Sequence, residues 1–106
     1  MKEVFYMKLG ILVTTDKYLD EIRGITKAAL SLGHEVSIFS MDEGTRLLEN
    51  PAYTELCKLE GVTLGFCDHN AEGLGINKEG IDNDVLCGSQ YDNAVMQHEA
   101  DKVIVL

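Results

Sequence analysis

The sequence predicts an α/β fold: a single three-layer α/β/α domain around a mainly parallel five-stranded sheet. Two observations carry this. Short apolar runs alternate with segments of helical period in the order βαβαβαβαβ, and strict alternation builds a parallel sheet with helices on both faces. The first run is nearly continuous in Leu9, Ile11, Leu12 and Val13, as a strand covered on both faces must be. The 106 residues amount to one domain of ordinary size, residues 1–106. Residues 1–6 precede a second methionine, Met7, and read as an N-terminal extension, an alternative start or a lengthening of the first strand.

Residues 8–14 form the first strand, closed by Thr14, Thr15 and Asp16, which offer an N-cap. From 18 to 32 the period changes: Leu19, Ile22, Ile25, Thr26, Ala29 and Leu32 recur at steps of three and four, giving one apolar helix face. Gly33 stops that helix. Residues 34–40 are the second strand, with Val36, Ile38 and Phe39. Ser40 and Glu43 have capping-box spacing and start a helix that carries Leu47 and Leu48. Asn50 and Pro51 break it as cap and first residue of the next helical turn, which carries Tyr53, Leu56 and Cys57 and ends at Gly61. Residues 62–66 are the third strand, ending at Cys67 before a turn able to start a helix. Gly73, Gly75 and Gly80, with Asn77, Asp82 and Asn83, read as a long, loosely structured connection. Residues 85–87 form the fourth strand. Ser89 and Asp92 cap a helix over 90–100 with Tyr91, Ala94, Val95 and His98 as its inward face. Residues 101–106 close the sheet. Strand order is not readable from this pattern.

Composition narrows the function. Net charge is −9, from 18 acidic and 9 basic side chains. Such a surface repels phosphate backbones and anionic lipid, so neither nucleic acid nor membrane is expected as a partner. No apolar run approaches the ~20 residues of a membrane span, and no leader pattern opens the chain. Cys57, Cys67 and Cys87 are odd in number and lack metal-ligand spacing. They read as reduced thiols in a cytoplasm. His34, His69 and His98 also lack ligand spacing, so no metal is expected. Gly73 and Gly75 lack the third glycine and preceding strand of a dinucleotide loop, and no phosphate loop occurs.

Reactive groups in parallel sheets sit just outside the carboxyl ends of strands. Cys67 is placed there, and a helix starting behind it would favour its thiolate. It reads either as a nucleophile or sulfur acceptor, or as a small buried hydrophobe. Asp68 would raise a neighbouring thiol pKa, and His69 reads as an activating base or an exposed loop histidine. Asn70 completes the polar cluster. Cys87, ending the fourth strand, reads as a resolving thiol or as a packed strand residue. Thr14 and Thr15 line the same crevice or only cap a helix. Cys57 is structural.

Several segments together resemble the DsrE/DsrF-like family of small α/β proteins related to sulfur-relay subunits. They are the strand Lys-Leu-Gly-Ile-Leu-Val-Thr-Thr, the helix end Ala-Leu-Ser-Leu-Gly-His-Glu-Val-Ser-Ile-Phe and the trio Asp42, Glu43 and Gly44. Leu-Glu-Gly-Val-Thr-Leu-Gly-Phe-Cys follows, with Gly75 and Ile76 downstream, and then the ending Glu-Ala-Asp-Lys-Val-Ile-Val-Leu. The resemblance runs from about Met7 to Leu106. It implies a flavodoxin-like fold and a homo-oligomer, a trimer or hexamer. It also implies a sulfur-relay role, as sulfurtransferase or sulfur carrier, in which Cys67 accepts sulfane sulfur as a persulfide and passes it between donor and acceptor proteins without a cofactor. Relay members tend to carry small and basic residues after the cysteine; here Asp68, His69, Asn70, Glu72 and Gly73 stand there. Two other readings remain open: a non-catalytic oligomeric module binding a small ligand or a protein, and a thiol redox sensor using Cys67 and Cys87.

Overall fold

The computed structural model describes residues 6–106. The strands are β1 (Lys8–Val13), β2 (Glu35–Ser40), β3 (Val62–Cys67), β4 (Leu86–Gly88) and β5 (Lys102–Val105). All pair in parallel, in the order β4-β3-β2-β1-β5. The α-helices are α1 (Leu19–Ser31), α2 (Pro51–Thr54), α3 (Asp68–Gly73) and α4 (Gln90–Glu99). Two 3₁₀ segments, Asp42–Glu49 and Glu55–Lys58, flank α2. This is the three-layer α/β arrangement expected, consistent with a flavodoxin-like fold. Tyr6 precedes β1; the readings of residues 1–5 as an extension or lengthened strand lie outside the described residues.

The sheet separates two apolar layers. On one face Ile11, Val13, Val36, Ile38, Leu64 and Phe66 pack under Ile22 and Ala29 of α1, Leu47, Leu48, Tyr53, Leu56 and Ala71. On the other, Phe39 and Cys67 pack with Met96 of α4, flanked by Leu12, Met41 and Ala100. Alternation along each strand sends successive side chains to opposite faces, which is how β2 serves both layers. α4 approaches β1 closely at Gly10, where a Cβ would run into Met96 and Ala100.

Five local expectations are corrected. Ser40 caps nothing: its hydroxyl is buried and bonds the Tyr53 hydroxyl, and the turn after β2 starts from Met41 without a side-chain cap. That turn is 3₁₀ rather than α, and Gly44 within it sits against the Val13 carbonyl, where no Cβ fits. α1 starts from Tyr18, also without a side-chain cap, so Asp16 and the threonines before it are not its N-cap. β4 lies one residue later than read, at Leu86–Gly88. α4 has the Ser89–Asp92 capping box but turns Asn93 and Met96 inward, leaving Tyr91 75% exposed and His98 on the surface. The connection after β3 begins with the short α3, whose Ala71 is buried. The Asn50 cap does form, with its side chain accepting from Ala52 N–H at 3.0 Å behind Pro51.

Candidate functional site

β1 to β4 run in one direction across the sheet, and α1, α2 and α3, which connect them, all contribute to the first layer. After β4 the chain crosses to α4 on the other face and returns to β5 beside β1. The chain therefore leaves β3 toward one face and β4 toward the other. A crevice outside the carboxyl ends of two such strands is where open parallel sheets bind ligands. Cys67 ends β3 there, paired in register with Gly88, which ends β4.

Cys67 is 2% exposed and belongs to the α4-side cluster with Phe39 and Met96. Its backbone is the N-cap of α3, but its side chain makes no capping bond. Asp68 and Cys87 belong to the opposite side. Cys87 is paired in register with Phe66 and shares its face; it is exposed. The Asp68 carboxylate accepts from Lys78 Nζ at 2.6 Å, and Lys78 also reaches Glu72 at 2.8 Å. The Lys78 bond holds the Asp68 carboxyl below the usual carboxylate range, and the two carboxylates hold the Lys78 ammonium up. Partial desolvation and then the hydrogen bond to Asp68 push the Cys87 thiol up. The Asp68 carboxylate thus acts on the Cys87 thiol.

Residues 7–106 match the family model of the DsrE/DsrF-like family. The chain belongs to the DsrE/DsrF-like family. Among solved structures it is similar to the YchN protein from E. coli. That likeness has a TM-score of 0.69 at 16% identity and covers 96% of this chain and 100% of that one; at this identity it speaks for the fold. A comparison with curated proteins finds no match.

In this DsrE/DsrF-like chain the remaining sequence candidates divide by position. His69 is exposed and, with Asp42, Glu43, Asn70, Gly73 and Leu74, lines a shallow groove over the ends of β2 and β3. Asn70 Oδ1 accepts the Asp42 N–H at 2.9 Å, fixing a residue at φ 49°, a left-handed conformation that aspartate tolerates better than most residues. Thr14 and Thr15 do not reach Cys67: β2 lies between β1 and β3. Thr14 instead donates its N–H and hydroxyl to the Leu106 carbonyl at 2.6 and 3.1 Å, tying β1 to the chain end. Cys57 is half-buried against the first layer.

The sequence reading missed Met41, Gln90 and Asn93. Met41 lies one residue beyond β2 and packs on the Cys67 cluster. Gln90 Nε2 and Asn93 Nδ2 point to its sulfur at 4.0 and 3.9 Å. The alternation rule could have flagged Met41, since it shares the parity of Phe39. A second groove of about 300 Å³ lies beside α4, lined by Lys8 and Glu35 at the strand starts and also by Phe39 and Met96 of the Cys67 cluster. Among the described residues no group of three or more His, Cys, Asp and Glu side chains is arranged to hold a metal ion, and no helix is long and apolar enough to cross a membrane.

Proposed function

We propose that the chain is a sulfur-relay-type carrier that accepts sulfane sulfur on Cys67 as a persulfide and passes it to an acceptor thiol. One observation carries the reading: in a DsrE/DsrF-like chain, Cys67 is the residue at the carboxyl end of β3 where the connections part to opposite faces. Burial suits the role, because a persulfide exposed to free thiols is discharged by exchange. No organic cofactor enters this chemistry. The donor and acceptor are proteins or small thiols able to reach the strand ends.

The same proposal takes the protein to be a cytoplasmic homo-oligomer, a trimer or hexamer. Three free thiols suit a reducing compartment. Leu86 and Tyr91 at 49% and 75% exposure, and Val105 at 61%, supply apolar surface for contacts between copies. Incubation with a polysulfide donor tests the function: wild type gains sulfur, and Cys67→Ser, which keeps the volume of a small buried side chain, does not. Equal sulfur on both proteins contradicts the proposal and favours a non-catalytic binding module, whose ligand or partner would still bind Cys67→Ser.

A further inference from the structure

Met41 follows β2 directly. In the β2–β3 register Ser40 stands opposite Phe66, so one further step sets Met41 beside Cys67 on the α4 face. Met41 packs from a half-buried position against the Phe39, Cys67 and Met96 cluster. Two side-chain amides of α4, Gln90 Nε2 and Asn93 Nδ2, converge on its thioether sulfur. A thioether is a weak acceptor, so these two bonds are weak ones. Asn93 is only 8% exposed. Its orientation is fixed by Gln90 Oε1, which accepts from its Nδ2 at 3.1 Å, and by Gln97 Nε2, which donates to its Oδ1 at 2.9 Å. On the other side of Cys67 the register places Gly88, and the Asp92 carboxylate occupies the space its missing side chain leaves.

We propose that Met41 is a removable plug in a sulfur subsite beside Cys67. Once the Met41 side chain swings out, the Gln90 and Asn93 amides that hold the thioether in the resting chain turn to the sulfur of Cys67, first its thiolate and then the outer sulfur of its persulfide. This inference rests on the carrier reading above. The Met41 backbone is anchored: its N–H donates to the Val13 carbonyl at 2.9 Å and its carbonyl accepts from Gly44 N–H at 2.9 Å. Motion therefore belongs to the side chain, whose unbranched thioether changes rotamer easily. In the transfer step the Cys67 thiolate attacks the outer sulfur of a donor persulfide. The donor S–S bond breaks as the new one forms, and the donor leaves with the electron pair as a thiolate. That thiolate takes up the proton shed by the new persulfide, whose anionic outer sulfur then accepts from the two amides. Hydrogen bonds to a charged acceptor are the stronger kind, so the exchange of thioether for persulfide is favourable at this position.

The test is the rate of iodoacetamide alkylation of each cysteine in the full chain, read by peptide mass mapping. Met41→Ala is expected to speed Cys67 alkylation about tenfold by removing the cover, with Cys57 and Cys87 unchanged. Adding Asn93→Leu is expected to slow Cys67 again, about tenfold, because the thiolate loses a donor; a merely structural Asn93 would instead loosen the site and speed the reaction. Equal Cys67 rates in wild type and Met41→Ala, or a double variant as fast as Met41→Ala, overturn the proposal. Should Cys57 accelerate as well, showing general unfolding, the same comparison is made in Met41→Leu, which keeps the bulk; slowing by Asn93→Leu is again required, and its absence overturns the proposal. Alkylation uses no donor sulfur, so this result and the persulfide test on Cys67→Ser stand or fall separately.

Discussion

Cys67 and Cys87 stand one register step apart on adjacent strands and present their thiols to opposite faces of the sheet. Cys67 pairs with Gly88, and Phe66 pairs with Cys87. Phe66 belongs to the layer under α1 and α2, Cys67 to the layer under α4. Cysteines whose Cβ vectors point apart cannot be bridged without backbone movement, however close their α-carbons. Oxidation of the native protein with diamide is therefore expected to give no Cys67–Cys87 disulfide on non-reducing peptide mapping. A linked peptide pair at high yield would return the redox-sensor reading to favour.

Cys87 has its own electrostatic setting. Partial desolvation and the Asp68 carboxylate raise its thiol pKa, and Lys78 keeps that carboxylate ionised. The thiolate is the reactive form, so the pH profile of Cys87 alkylation should lie to the alkaline side of an ordinary thiol. Asp68→Asn removes the negative charge and should move the profile to lower pH. An unmoved Cys87 profile would mean that Asp68 does not govern it.

Tyr53 and Ser40 form a buried hydroxyl pair between α2 and the end of β2. Tyr53→Phe leaves the Ser40 hydroxyl without a partner, at an expected cost of about 1–3 kcal/mol in urea denaturation. Ser40→Ala in the same chain should restore part of it. Burial raises the Tyr53 phenol pKa, a shift partly opposed by the Ser40 bond. A group with a raised folded pKa contributes stability that is complete below its unfolded pKa and is lost as pH climbs toward the folded value. Wild type should accordingly lose stability above pH about 10, and Tyr53→Phe should lose less. Identical alkaline slopes for the two proteins would contradict this.

Gly44 is required by contact. A Cβ there would overlap the Val13 carbonyl and Cγ1, and the Val13 carbonyl already accepts the Met41 N–H. Gly44→Ala should destabilise the fold by about 1–3 kcal/mol through overpacking, seen as a lower denaturation midpoint with an unchanged slope. An unchanged midpoint would show that the turn moves aside at little cost.

Much of this arrangement is written in local sequence. The apolar runs of β1, β2 and β3, the period of Leu19 to Ala29, the Asn50 and Pro51 break and the Ser89 and Asp92 box are short-range signals, and each formed. What escaped depends on contacts distant in sequence. Ser40 has the composition of a cap, but Tyr53, thirteen residues on, takes its hydroxyl. The close approach of Gly44 to the Val13 carbonyl joins residues thirty-one apart in sequence. The inward face of α4 is displaced because Asn93, a polar residue, is buried with its amide engaged by Gln90, Gln97 and Met41. Strand order is set by pairings that no local pattern encodes. At the site, the position of Cys67 at a strand end was legible, whereas the face its thiol takes, opposite to Asp68 and Cys87, needed the register.

The most direct measurement is the mass of the reduced protein before and after incubation with a persulfide donor, followed by mapping of the three cysteine peptides. The carrier account predicts added sulfur on the Cys67 peptide, removed again by an acceptor thiol, with the exposed Cys87 and half-buried Cys57 peptides unmodified. Sulfur confined to Cys87, spread evenly over all three, or absent would contradict it.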